Sequence, residues 1–170
     1  MQVGVISDTH DNVPAVDAAV AQFSARGVEA VIHAGDFVAP PVIPHLAGDW
    51  EVHAVRGNND GEREGLLAAF SALDGGTLHG RVAELDVGGR RFAVVHGEDR
   101  PVIEGLARGD YDYVCHGHYH ERELRTVGDT VVLNPGAQFL AVDAEHRTVA
   151  TIDTDTPVGE SAVEFHRVEP

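Results

Sequence analysis

Short runs of β-branched and aliphatic residues recur along the chain, each closed by glycine and polar residues. Residues 2–7 (QVGVIS), 28–34 (VEAVIHA), 50–56 (WEVHAVR), 90–95 (RRFAVV) and 111–115 (YDYVC) have the length and composition of strands. Between them lie segments with apolar residues at helical spacing. PAVDAAVAQFSAR (14–26) opens on a proline, which the first helical turn tolerates, and stops at Gly27. GEREGLLAAFSAL (61–73) predicts a helix with Leu66, Leu67 and Phe70 inward, and PVIEGLAR (101–108) a shorter one. PPVIPHLAG (40–48) is too rich in proline for more than a short, irregular helix. The opening strand, helix and strand therefore make a right-handed βαβ unit. The second half changes character: VAELDV (82–87) and RRFAVV meet at Gly88-Gly89, a hairpin signal that brings in antiparallel pairing. RELRTV (122–127), TVVLN (130–134), FLAVD (139–143), TVATID (148–153) and AVEFHRV (162–168) follow as short strands. An α/β domain of two packed mixed sheets with helices outside is the expected architecture, and residues 1–170 suffice for one domain.

Five of the runs release polar clusters at their carboxyl ends: Asp8-Thr9-His10, Gly35-Asp36, Gly57-Asn58-Asn59-Asp60, His96-Gly97 and Gly117-His118-Tyr119-His120. Open α/β sheets bind ligands outside those ends, so the clusters should meet. Imidazole, carboxylate and amide oxygen without thiolate suit Mn, Fe, Zn or Ni. Asp8 and His10 stand two apart on a segment read as extended, as do His118 and His120, so each pair can converge from one face. Seven donors exceed one tetrahedral ion. Two ions sharing a bridging carboxylate is the economical reading, and such pairs serve in-line displacement at phosphorus. Singly, each cluster is a common turn or cap; their combination in this order argues for metal.

The five motifs in this order resemble the calcineurin-like metallophosphoesterase superfamily. The SDTHDN opening and the late VLNPGA segment (132–137) are similar to its small bacterial and archaeal YfcE-like phosphodiesterase branch. The resemblance implies a four-layer αββα sandwich of two mixed β-sheets flanked by helices. It implies one ion held by Asp8, His10, Asp36 and His120, and another by Asp36, Asn58, His96 and His118, with Asp36 as the bridge. It also favours manganese as the working ion, with Ni, Fe or Zn as alternatives, and a small phosphodiester as substrate. A metal-bridging hydroxide would attack phosphorus in line with the departing oxygen.

One position departs from the family pattern. Where the superfamily commonly carries a histidine that helps the leaving group, and the small branch often a cysteine, this chain has Asn59. An amide can donate a hydrogen bond but cannot act as a general acid, which favours diesters with good leaving groups. Asp60 can orient its loop or a ligand, or cap the helix that follows. Arg56 is a candidate phosphate clamp and Asn134 a candidate substrate contact in the late motif. His33 and His116 read as satisfied buried histidines beside the ligands. Two other functions compete with the diesterase: a catalytically weak, metal-bound scaffold for protein partners, as in the resembling retromer subunit, and a phosphomonoesterase or nucleotidase. The second would want a cap for which the chain has no room.

The formal net charge of −16 and the use of arginine for all twelve basic residues predict a protein suited to a salt-rich cytoplasm. The charge opposes binding of duplex nucleic acid, which needs basic patches. A small anion remains acceptable because divalent cations reverse the local sign. Cys115 is the single cysteine, and no signal core or membrane-length apolar stretch is present, so a cytoplasmic location and no membrane partner are expected. Edge strands in the second half leave room for a homo-oligomer.

Overall fold

The computed structural model describes residues 1–138 and 143–169. The opening runs become β1 (Gln2–Ile6), β2 (Val28–His33) and β3 (Glu51–Ala54), which pair in parallel because helical crossovers join them. The first crossover is α1 (Val13–Ala25), with proline in its first turn and the Asn12 side chain accepting from Ala15 N. The second is a 3₁₀ segment, Pro40–Leu46, in which Pro44 removes the donor that an α-helix would need. The helix α2 (Arg63–Ala72) then leads to β4 (Gly76–Leu78), a three-residue strand that the pattern did not predict. Leu66 and Phe70 are buried as expected, but Leu67 is 56% exposed. Residues 66 and 70 share a helix face, whereas 67 is turned by about 100° from 66, and only the first pair can meet the sheet.

β5 (Val82–Val87) and β6 (Arg90–Val95) form the expected hairpin, with Gly88 and Gly89 both at positive φ. Next come α3 (Arg100–Leu106), β7 (Tyr113–Cys115), β8 (Glu123–Val127), β9 (Thr130–Asn134), β10 (Thr148–Asp153) and β11 (Val163–Arg167). The expected strand at 139–143 lies largely outside the described residues. One sheet runs β11-β10-β1-β2-β3-β4 and the other β5-β6-β7-β9-β8. Both are mixed: β10, β11, β5 and β8 pair antiparallel on otherwise parallel sheets.

Three apolar layers hold the sandwich together. Between the sheets lie Val3, Val5, Ile32, Leu85, Phe92, Tyr113 and Leu133. Outside the first sheet, α1, the 3₁₀ segment and α2 bury Phe23, Phe37, Ile43, Leu66 and Phe70. Outside the second, α3 places Ile103 on Val95, Val114 and Val132. Layers of helix, sheet, sheet and helix make this the αββα arrangement. β5 is an edge strand whose outer positions are Val82, Glu84 and Asp86, and two carboxylates on one edge discourage pairing with another chain.

Candidate metal centre

β1, β2 and β3 are adjacent and parallel in one sheet, and β6 and β7 in the other, so their carboxyl ends face one common volume. Backbone hydrogen bonds tie the emerging loops together: Asp8 N to Gly35 O at 2.9 Å, His10 N to Asp36 O at 3.1 Å, and Gly117 N to His96 O at 2.9 Å. Across the sheets, His118 N donates to Asp8 Oδ2 at 3.0 Å. Glycine is required where these loops touch. A Cβ on Gly57 would collide with Asp36 Oδ1, and one on Gly117 with Ser7 Oγ and Asp8 Oδ2.

Five of the seven ligand candidates do not sit on extended segments. Asp8, His10, Asp36, His118 and His120 all have positive φ, between 42° and 70°. Each loop therefore turns through left-handed residues, and it is these turns that converge the side chains. Left-handed backbone costs a non-glycine residue about 1 kcal/mol or more and persists where the surroundings impose it. Val38, with φ of 81°, is a β-branched residue in the same region, two positions after Asp36.

Two buried carboxylates lie at the centre. Asp8 Oδ1 is 3.2 Å from His120 Nε2, 3.7 Å from His10 Nε2 and 3.9 Å from His96 Nε2. Asp36 Oδ2 is 3.2 Å from His96 Nε2 and 3.6 Å from His10 Nε2. The imidazoles form two edge-to-face pairs, His10 with His120 and His96 with His118. Asn58 Oδ1 lies 3.0 Å from His118 Nδ1. Donor atoms of Asp8, His10 and His120 gather within 4.8 Å of one another, as do those of Asp8, Asp36 and His96. All seven sequence-predicted donors thus come together. Asp8 belongs to both groups and Asp36 Oδ2 also reaches towards His10, whereas the family resemblance assigned the shared position to Asp36 alone.

The donor set fits a divalent cation. Asp8 Oδ1 and His96 Nε2 are buried with no hydrogen-bond partner, although buried polar atoms are ordinarily satisfied. His96 Nδ1 lies 2.8 Å from the Ala34 carbonyl, which can only accept, so Nδ1 carries the proton and the Nε2 lone pair faces the carboxylates. Asp8 Oδ2 is already engaged by Ser7 Oγ at 2.6 Å and by His118 N, which leaves Oδ1 as its ligating oxygen.

Charge follows from this geometry. Burial works to raise the Asp8 carboxyl, but the imidazoles of His10, His120 and His96 around it outweigh burial and hold the pKa far below the usual range. Asp36 is lowered too: burial is outweighed by His96 and by two hydrogen bonds from Asn59. The Asp8 carboxylate beside it raises His10, against burial. His96 is also raised, because Asp36 and Asp8 overcome its own burial. The site attracts positive charge strongly, as protons or as metal ions.

The remaining candidates surround this centre. Asn59 donates from its backbone N to Asp36 Oδ1 at 2.9 Å and from Nδ2 to Asp36 Oδ2 at 2.7 Å. Asp60 does not cap α2, whose N-cap is Glu62 without a side-chain bond. Its carboxylate instead accepts from Asp36 N (2.9 Å), Val38 N (2.9 Å) and Gly57 N (2.7 Å). Asn134 is fully buried; it donates to Gly117 O at 2.9 Å and accepts from Gly136 N at 3.0 Å, beneath the His118 loop rather than in contact with solvent. Arg56 is half-buried at the end of β3, and its backbone N donates to Gly80 O at 2.5 Å. His33 accepts from Gly35 N through Nδ1 and meets Thr9 Oγ1 at 3.3 Å through Nε2, so it is neutral, and burial pushes its pKa down to about 3. His116 is buried 3.2 Å from Glu123.

Sequence reasoning missed Arg81, which donates to Gly57 O at 3.1 Å and pairs with Glu98, bracing two of the loops from the position just before β5. No motif marks it. Ser7, hydrogen-bonded to Asp8, was visible in the opening motif only as its first letter.

Taken together, the sandwich and its donor cluster define a metallophosphoesterase. The profile of the calcineurin-like phosphoesterase superfamily domain matches residues 1–157, and the chain belongs to this superfamily of hydrolases. Phosphodiesterase MJ0936 of Methanocaldococcus jannaschii is 36% identical over 138 residues, covering 80% of this chain and 83% of the relative. The solved structure of an archaeal phosphodiesterase superposes with a TM-score of 0.83 at 32% identity over 99% of both chains. Yfce, a phosphoesterase from E. coli, shares the fold at 17% identity, with a TM-score of 0.69 over 99% of this chain and 100% of that one. Among the described residues, no helix is long and apolar enough to cross a membrane.

Proposed function

We propose that the protein is a binuclear metal-dependent phosphodiesterase acting on small phosphodiesters, with residues 1–170 working as one domain. The observation that carries this reading is the arrangement of two imidazole pairs around two buried, ionised carboxylates, with Asn58 beside His118. One ion would be held by Asp8, His10, Asp36 and His120, the other by Asp36, Asn58, His96 and His118. The ions, manganese first among them, would supply an acidified water as nucleophile and neutralise charge on the phosphoryl oxygens. The chain's own residues hold that machinery in place. Asn59 fixes both oxygens of Asp36, and Asp60 fixes the backbone around it. Arg56, in the loop that carries Asn58, would supply a cation for a phosphoryl oxygen, and Asn134 keeps the His118 loop seated. Because Asn59 cannot donate a proton to a leaving oxygen, diesters with stable leaving groups are the favoured substrates over unactivated monoesters. The acidic, lysine-free composition supports action in a salt-rich cytoplasm.

The test is hydrolysis of bis(p-nitrophenyl) phosphate with Mn in molar KCl, beside the same protein after chelation and metal analysis. Two bound ions and chelator-sensitive turnover are expected, with Asp36→Asn and His96→Ala inactive yet folded. Full turnover by both variants, or no turnover by the folded, metal-loaded protein, would reject the proposal.

A further inference from the structure

Arginine side chains in this acidic chain are mostly spent internally. Arg81, Arg91, Arg108 and Arg125 pair with carboxylates, and Arg90 donates to the carbonyls of Thr154 and Thr156. Arg100 is one of the exceptions, and the one beside a ligand candidate. Its guanidinium carbon lies 4.1 Å from the centroid of the Tyr119 ring, and no carboxylate or carbonyl among the described residues engages it. Tyr119 sits between the two ligand candidates His118 and His120. Its ring stands edge-to-face against His118 at 5.2 Å and against His116 at 6.1 Å, and it packs on the apolar layer beneath α3. The ring is therefore a fixed shelf. A guanidinium held over an aromatic face spends no N–H on that contact, and its donor fork stays free for phosphate or carboxylate.

An uncommitted guanidinium one aromatic ring away from a metal-ligand candidate is placed for the neighbouring part of a substrate, not for the phosphoryl group on the metals. We infer that Arg100, carried on Tyr119, binds a second phosphate of the substrate, joined through its ester arm. This rests on the phosphodiesterase reading and narrows it to diesters bearing another phosphate, such as short nucleotide chains or nucleotidyl esters. Divalent ions, when bound, would neutralise the first phosphate, and Arg100 takes the second, so a protein with net charge −16 can hold a polyanion.

Titration calorimetry of the Mn-loaded full chain in molar KCl, with adenosine 3′,5′-bisphosphate against adenosine 5′-monophosphate, tests this independently of turnover. The bisphosphate should bind about 10-fold tighter, the contribution of one charge-assisted contact. Arg100→Ala should erase the difference, Arg100→Lys should restore part of it, and Tyr119→Leu should weaken it although the guanidinium remains. Arg108→Ala, further along the same segment, should keep it. Equal affinities in the unmodified protein, or a preference that survives Arg100→Ala, would overturn the inference. Turnover of bis(p-nitrophenyl) phosphate on the same samples separates the two ideas: its absence counts against the diesterase reading, whereas the bisphosphate preference decides the role of Arg100.

Discussion

Replacing Asp60 by Asn changes one atom in a side chain that touches none of the proposed metal ligands except through their backbone. The carboxylate receives three N–H groups: Oδ2 takes those of Asp36 and Gly57, and Oδ1 that of Val38. An asparagine can keep the first two through its carbonyl, now without charge. Its NH₂ then faces the Val38 N–H, donor against donor, at a residue already strained at φ of 81°. Losing the charge on two bonds and leaving one partly buried N–H unsatisfied sums to about 3 kcal/mol. In a chain of this length that lowers the melting temperature by roughly 6–12 °C. Relaxation of Val38 would also release Asp36, whose carboxylate both groups of imidazoles face, and a displacement of about 1 Å can cost about 100-fold in rate. Thermal unfolding by circular dichroism in molar KCl with chelator, and kcat on bis(p-nitrophenyl) phosphate with Mn, measure the two effects. Glu62→Ala, at the N-cap position with no side-chain bond, is the control and should be nearly silent. An Asp60→Asn protein that melts within 1–2 °C of the parent and keeps its kcat would show that the three bonds do not hold the site.

Three further outcomes follow from the same structure. Unfolding midpoints should rise steadily from dilute buffer to about 2 M KCl as the acidic surface is screened, and full stability at low salt would refute adaptation to salt. His33 is held neutral by burial with a pKa of about 3, against 6.5 in the unfolded chain, so the unfolded state binds the extra proton between those values. Its contribution is therefore intact above pH 6.5 and declines as pH falls, by about 2–3 kcal/mol at pH 4.5. Urea unfolding at pH 7.5 and 4.5 should show that His33→Asn removes much of this acid sensitivity; an unchanged pH profile would reject it. Finally, in a series of aryl phosphodiesters, rates should fall steeply as the leaving group becomes more basic, and Asn59→His should flatten that slope by supplying a proton. A shallow slope in the unmodified protein would mean that another group already does so.

The strands that carry the site were legible because a run such as VEAVIHA can be buried on both faces only in the middle of a parallel sheet, and the residues that end it then fall at one rim. That is why the seven candidate donors could be expected at one rim from the chain alone. Their backbone could not. Asp8-Thr9-His10 reads as a continued strand, yet the loop turns through left-handed residues because Asp8 N and His10 N must reach Gly35 O and Asp36 O, partners 27 and 26 residues away in sequence. Strain of this kind is imposed by tertiary contacts and leaves no mark on local propensity.

Asp60 shows the same limit from the other side. Beside a helix start, an aspartate is as plausible a cap as a loop-orienting group, and the fold decides for the second: three backbone donors from two separate loops converge on it. Arg81 and Arg100 had no signal at all, since a braced or stacked arginine looks like any other in a sequence. What the pattern exposes is therefore the set of groups that do chemistry, because the end of a buried strand fixes where they are. What it hides is the set that positions them, because those act through backbone atoms shared by every residue. The positioning set is the more informative to perturb: Asp60→Asn removes none of the candidate metal donors, so a loss of rate in the folded protein reports on what holds them rather than on a missing ligand.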